Sequence, residues 1–260
     1  MDFELGPEHR MLQDTVYRFM VKEVAPIADQ IDREDRFPEE AWKKLSEMGL
    51  MGITVPEEYG GGGQDLLAAA LVMEQIARIC PGLALSYGAH TVLCVDTLYH
   101  NANEEQRRRY LPGLCSGAVI GALALTEPNA GSDAVGIQTT ARREGDYYIL
   151  NGTKMFITNA PVADLFLVVA STDREAGKEG LSAFVVERAA GVQVEEVDLG
   201  YLPTSPHGRV ILDGVRVSGD HLLGEEGWGH ERVSRSLFIW ERTALIPVIV
   251  SYLERWHHLV

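Results

Sequence analysis

Two short segments of the chain carry side chains and turn residues suited to a planar ligand that forms hydrogen bonds. The first is ALTEPNAGSD (residues 124–133), in which the hydroxyl of Thr126 follows an apolar run and precedes turn-forming residues. The second is NGTKMFITNA (residues 151–160), in which Phe156 and Thr158 alternate with apolar residues. Such turns present hydroxyls and backbone N–H donors, and an aromatic plane beside a hydroxyl suits a flat heteroaromatic ring.

Each segment also has an ordinary structural interpretation. The first could be an Asx-type turn that closes a hairpin. The second could be a strand that contributes a core phenylalanine beside a satisfied threonine. If it is a strand, its period of two places Phe156 and Thr158 on the same face. Neither segment alone decides between ligand binding and simple chain reversal.

The elements that must position these segments follow from the hydrophobic period. Residues 7–34, 39–49, 65–80, 84–100 and 103–115 repeat apolar positions every three or four residues, which predicts helices. Residues 118–223 change to short alternating or continuous apolar runs between turns, which predicts about seven strands in a barrel or sandwich. Helical texture returns after Gly229. We therefore expect an α+β chain with a helical domain at 1–117, a β-barrel domain at 118–225, and the first helix of a truncated helical bundle at 226–260.

Composition narrows the function classes. The chain has 260 residues, 46% of them hydrophobic, and a formal net charge of -15, which makes a nucleic-acid partner unfavourable. No apolar run is long enough to span a membrane. The three cysteines, Cys80, Cys94 and Cys115, form no CxxC pair, so buried thiols in the cytoplasm are expected rather than disulfides or a metal site.

The two segments together are more specific than either alone. ALTEPNAGSD followed by KMFITN resembles the paired flavin-binding signatures of the acyl-CoA dehydrogenase family. Further segments along the chain are similar to successive blocks of that family, and the strongest resemblance is to its isovaleryl-CoA dehydrogenase branch. They are VPEEYGGGG, SYGAHTVLC, EEQRRRYLPGLCSGAVIGAL, VILDGVRV and LLGEEGWG.

The resemblance implies an FAD enzyme that oxidises an acyl thioester to its 2-enoyl product and passes electrons to an electron-transfer flavoprotein. It implies that Leu125 and Thr126 hydrogen-bond the pyrimidine edge of the flavin, and that Ser132 contacts the FAD phosphate or the substrate. Phe156, where the family more often has Trp, would lie against the isoalloxazine ring. Thr158 would place its hydroxyl near N5.

The catalytic base is implied by the same resemblance. The isovaleryl branch uses the glutamate of an L-D-x-E-R helix, and the corresponding segment SLFIWERTALIP gives Glu241 as the base and Arg242 as a substrate-binding neighbour. Apolar residues share the helical face of Glu241, and such a setting raises the pKa of a carboxyl group. An alternative is a structural pair between Glu241 and an interface arginine.

The sequence leaves the substrate and the assembly open. Ile239 stands where the pattern usually has Asp, so an acyl-carrier-protein thioester is possible beside acyl-CoA. The same fold could serve an oxidase or N-hydroxylase, or a non-catalytic subunit of a heteromeric dehydrogenase. The apolar segment LFIWERTALIPVIVSYL must be buried by something, so we expect a homotetramer or a hetero-oligomer.

Overall fold

The computed structural model describes residues 4–131, 136–200, 202, 204–239 and 245–257. Ser132, Glu241 and Arg242, three of the site residues expected from the sequence, lie outside these residues.

The N-terminal part is built from helices whose ends carry the expected sequence signals. Pro7 and Pro81 each begin a helix, where the missing N–H of proline is no loss. Asn103 forms a capping box with Gln106, and Asp65 accepts a hydrogen bond from Ala68 N. The helices are α1 (Pro7–Phe19), α2 (Ala25–Arg33), α3 (Glu39–Glu47), α4 (Leu66–Ala77), α5 (Pro81–Gly88), α6 (Thr97–Asn101) and α7 (Glu104–Cys115), with π-helical turns at Met20–Val24 and Ala89–Asp96.

The middle part is a sheet of short strands. They are β1 (Gly121–Ala124), β2 (Thr140–Glu144), β3 (Tyr147–Thr158), β4 (Leu165–Ser171), β5 (Leu181–Glu187), β6 (Gln193–Glu196), β7 (His207–Ser218) and β8 (Leu222–Leu223). Their order is β6-β7-β3-β2-β4-β5-β8, and β1 pairs in parallel with β4. The seven expected strands are all present, and β8 is added.

Strand β4 is buried on both faces and separates two cores. Leu165, Leu167 and Val169 pack with helical residues such as Leu111 and Leu114. Phe166 and Val168, on the opposite face, share a core with residues of β3, β5 and β7. Because β4 and β7 are not neighbours in the strand order, this second core requires the sheet to curl around its own interior.

The chain ends in helical segments α8 (Gly229–Ile239) and α9 (Leu245–His257). Helix α9 packs against α4 and α5 and buries Val248 and Ser251. Its other face carries four apolar side chains that are each about half exposed: Ile246, Ile249, Val250 and Leu253.

These observations confirm the expected fold class: helical N-terminal part, β-sheet middle part, and helices at the C-terminal end. In the portion of the chain that the structure describes, none of the helices has the length and apolar character needed to cross a bilayer.

Candidate cofactor site

The structure brings the two sequence segments together. Strand β1 ends at Ala124, and the residues that follow it run beside the second half of β3. Met155 N donates a hydrogen bond to the Thr126 carbonyl oxygen at 2.8 Å, and Lys154 Nζ donates to the Leu125 carbonyl oxygen at 3.1 Å. Residues that are distant in sequence therefore form one edge.

This hydrogen bonding fixes the direction of a peptide group. The C=O and N–H of a trans peptide point in opposite directions. Because the Leu125 carbonyl oxygen points to Lys154, the Thr126 N–H points away from that buried amine. The segment thus offers a backbone donor and a hydroxyl at the end of β1, which suits a ring edge that carries carbonyl oxygens and nitrogens.

A buried ion pair lies behind this segment. Lys154 Nζ is 2.7 Å from Glu127 Oε1, and the two side chains are 0% and 4% exposed. Glu127 also accepts hydrogen bonds from Gln138 N at 2.7 Å, from Thr139 N at 3.0 Å and from the Thr139 hydroxyl. Both carboxylate oxygens therefore have hydrogen-bond partners, as a buried charge requires.

Both members of the pair are charged at neutral pH. Burial lowers the pKa of Lys154 to about 8 although Glu127 opposes this shift. Burial acts to raise the pKa of Glu127, but the charge of Lys154 and the hydrogen bonds outweigh it and lower that pKa. The sequence patterns did not single out Glu127 and Lys154. The presence of one acidic and one basic residue next to apolar residues in the two segments could have predicted a buried ion pair.

Phe156 sits in a bulge of β3. The register between β3 and β7 shifts between Lys154 and Ile157, and Phe156 has a φ of 59°. Lys154 is buried, so strict alternation would turn Phe156 inward. The bulge instead buries Ile157 and leaves Phe156 50% exposed. This exposure excludes the interpretation of Phe156 as a core residue, and a strained bulky residue of this kind is typical of functional sites.

Thr158 ends β3 and faces a histidine across the sheet. Thr158 Oγ1 is 3.0 Å from His207 Nε2, and His207 Nδ1 is 2.6 Å from the Ser205 carbonyl oxygen. Burial lowers the pKa of His207, opposed by its hydrogen bond to Ser205. Because His207 lies far along the chain, only the pairing of β3 with β7 reveals it.

Asn159 anchors the end of β3 to the helical part. Its side chain is fully buried, its φ is 68°, and its Nδ2 donates to the Ser86 carbonyl oxygen of α5 at 2.8 Å. The Asn159 N–H donates to the Pro206 carbonyl oxygen at 2.8 Å, beside His207. The edge formed by Thr126, Phe156 and Thr158 is therefore tied to both the sheet and the helices.

Leu125, Thr126, Phe156 and Thr158 thus belong to two segments that contact each other. The edge has an exposed aromatic face, two hydroxyls and an outward backbone donor. On these observations the described residues fit a flavin ring.

The chain is similar to known proteins. The sequence-family model of the acyl-CoA dehydrogenase N-terminal domain matches residues 6–118. The sequence-family model of the acyl-CoA dehydrogenase middle domain matches residues 122–215. The short-chain specific acyl-CoA dehydrogenase of Clostridium acetobutylicum is 40% identical over 240 residues, which cover 91% of this chain and 63% of that protein. The mitochondrial isovaleryl-CoA dehydrogenase of Pongo abelii is 43% identical over 231 residues, covering 86% of this chain and 55% of that protein.

A solved structure, the FAD complex of PigA, superposes with a TM-score of 0.92 at 34% identity. The superposition covers 98% of this chain and 67% of that one. Of the two curated relatives, the chain spans 63% and 55% of their lengths, which is less than two thirds of each. Family models that together match most of its length show that this chain belongs to the acyl-CoA dehydrogenase family.

Proposed function

We propose that this chain binds FAD at the edge formed by the segments after β1 and in the second half of β3. The observation that carries the proposal is the contact between the two segments, through Met155 N and the Thr126 carbonyl oxygen. Each described residue then has a role. Leu125 and Thr126 bind the pyrimidine edge, Phe156 lies against the ring, and Thr158 approaches N5. Ser132, outside the described residues, is assigned to the FAD phosphate or the substrate.

The proposed reaction is the dehydrogenation of a short or branched acyl-CoA to the 2-enoyl thioester. When bound, FAD supplies the two-electron acceptor for this oxidation. Glu241 removes the α-proton of the substrate, and Arg242 is assigned to substrate binding. The relatives named for short-chain acyl-CoA and isovaleryl-CoA support this substrate class. The proposed electron acceptor is an electron-transfer flavoprotein.

A carrier-protein thioester is the second candidate substrate, because Ile239 stands where the family pattern has an acidic residue. An oxidase or N-hydroxylase on the same fold, and a non-catalytic subunit, are the remaining candidate functions. The exposed apolar face of α9 supports a homotetramer or hetero-oligomer, in which a neighbouring subunit or further helices cover it. We also place the protein in the cytoplasm, where buried thiols such as Cys94 stay reduced.

A visible spectrum with a thioester panel tests the proposal. The purified protein, with any subunit that accompanies it, should be yellow. Anaerobic addition of isovaleryl-CoA or butyryl-CoA should bleach the flavin band. Bleaching by an acyl-carrier-protein thioester alone would favour the second candidate, and rapid oxygen consumption by the reduced protein would favour an oxidase. A colourless protein that cannot be reconstituted with FAD would overturn the proposal.

A further inference from the structure

His207 is the direct cross-strand neighbour of Thr158 and lies outside the two sequence segments that predicted the cofactor site. The two residues pair in the antiparallel register of β3 with β7. Their contact is a hydrogen bond of 3.0 Å between Thr158 Oγ1 and His207 Nε2. The other ring nitrogen, Nδ1, lies 2.6 Å from the Ser205 carbonyl oxygen. Both ring nitrogens of His207 are therefore engaged.

The chemistry of these partners fixes the proton positions. A carbonyl oxygen can only accept, so His207 Nδ1 must carry a hydrogen and donate it to Ser205. In a neutral imidazole the second nitrogen, Nε2, is then an acceptor. The remaining hydrogen bond can form in only one direction, with the Thr158 hydroxyl donating to His207 Nε2.

The imidazole ring of His207 is neutral at neutral pH. His207 is half-buried, and burial lowers its pKa from the usual value. At neutral pH the imidazole is consequently the single-donor form that the contact with Ser205 selects. The Thr158 hydroxyl donates its only hydrogen to His207. Toward any further group, such as a ligand, Oγ1 can therefore act only as a hydrogen-bond acceptor.

We infer that His207 is a positioning residue that, through Thr158, presents a hydrogen-bond acceptor rather than a donor to N5 of the bound flavin. This inference rests on the proposed function, which places the Thr158 hydroxyl near N5. A reduced flavin carries a hydrogen on N5, whereas N5 of an oxidised flavin is itself an acceptor. The acceptor at Thr158 Oγ1 can form a hydrogen bond with N5 of the reduced flavin but not with N5 of the oxidised flavin. The Thr158–His207 pair therefore stabilises the reduced flavin relative to the oxidised one.

The test compares flavin midpoint potentials in the holoprotein. In His207→Ala the Thr158 hydroxyl is free to donate to oxidised N5. The ratio of affinities for reduced over oxidised flavin should fall about tenfold, the value of one neutral hydrogen bond, which corresponds to about 30 mV for a two-electron couple. His221→Ala is the matched control, because His221 Nδ1 also contacts a backbone carbonyl oxygen, that of Val185 at 2.9 Å. Its midpoint potential should equal that of wild type.

A double-mutant cycle separates positioning from simple support of the fold. Thr158→Val removes the hydroxyl, so adding His207→Ala to it should leave the potential unchanged. An equal shift from His207→Ala with and without the Thr158 hydroxyl would overturn the inference, as would no shift in either background. Thr158→Ser, which keeps the hydroxyl, should retain the wild-type potential.

A second measurement needs no variant. Nitrogen-15 shifts of His207 at neutral pH should show hydrogen on Nδ1 and a bare Nε2, and the opposite tautomer would overturn the inference even if FAD binds. A wild-type protein that binds no flavin would overturn the proposed function together with this inference. A flavoprotein whose potential ignores His207 would overturn this inference alone.

Discussion

Lys154 Nζ lies 2.7 Å from Glu127 Oε1, and the pair joins the middle of β3 to the turn after β1. The same amine donates to the Leu125 carbonyl oxygen. One buried cation thus holds the two segments of the candidate site in contact. Both side chains are buried, so water cannot take the place of either partner if the other is removed.

The first prediction concerns removal of this cation. Lys154→Met leaves Glu127 buried without its counter-charge, so the free energy of unfolding should fall by about 3–5 kcal/mol. FAD affinity should fall as well, because the Leu125 carbonyl oxygen loses its donor. Urea unfolding and FAD titration measure the two effects.

Lys44→Met is the matched control, because Lys44 pairs with Glu23 at the surface and the loss of an exposed pair should change the free energy of unfolding little. The double variant Glu127→Gln with Lys154→Met should recover part of the lost stability. Equal effects of Lys154→Met and Lys44→Met would contradict the role assigned to the buried pair.

A second prediction separates the ring of Phe156 from its backbone. Phe156→Ala and Phe156→Gly both remove the aromatic face, and each should weaken FAD binding by about tenfold. Glycine tolerates the φ of 59° without strain, so Phe156→Gly should be more stable than Phe156→Ala by about 1 kcal/mol. Thermal unfolding without FAD and FAD titration give the two quantities.

Phe156→Trp keeps an aromatic face at this position, so FAD affinity should stay close to that of wild type. If Phe156→Ala bound FAD as tightly as wild type, the ring would have no part in the cofactor site.

The third prediction concerns acid stability through His90. This ring is fully buried between α7 and β1, where Nδ1 accepts from Gly121 N and Nε2 donates to the Leu114 carbonyl oxygen. Burial lowers its pKa to about 4, below the usual 6.5. Between these values the unfolded chain binds more protons than the folded one, so stability is complete above pH 6.5 and falls as the pH drops toward 4.

The loss attributable to His90 should be on the order of 3 kcal/mol. His90→Gln keeps an amide donor and acceptor but cannot titrate. Urea unfolding at several pH values should give a shallower slope for this variant than for wild type. Identical slopes would show that His90 does not drive the acid sensitivity.

The fourth prediction concerns the proposed base. Glu241→Gln removes the proton acceptor while keeping the size of the side chain, so reduction of the flavin by acyl-CoA should slow by a factor of about 100 to 10,000. The FAD content and oxidised spectrum should not change. Stopped-flow absorbance under anaerobic conditions measures the rate.

Glu231→Gln is the matched control, because Glu231 is an exposed residue in the first turn of α8. Its rate should equal that of wild type. A Glu241→Gln protein that reduces at the wild-type rate would remove Glu241 from the mechanism and would favour a structural role for it.

The sequence by itself determined the kinds of element and their order. Residues 7–34 repeat apolar positions at helical spacing, and 165–171 form an apolar run of strand length, so local periodicity was enough to predict the helical segment that contains α1 and α2, and strand β4. It also placed Thr126, Phe156 and Thr158 in two segments with the residue types of a cofactor site. The roles assigned to those three residues, and to Leu125, Ser132, Glu241 and Arg242, remain predictions.

Only the tertiary structure decided which residues meet. The partners Lys154 and Glu127 are 27 residues apart in sequence, and Thr158 and His207 are 49 apart. Their contacts depend on strand register, and a bulge at Phe156 shifts that register and reverses the inward alternation of β3. Local periodicity describes one segment at a time, so it carries no information about register between distant strands. The direction of the Thr158 hydroxyl follows from the pairing of Thr158 with His207 and from the contact of His207 with the Ser205 carbonyl oxygen.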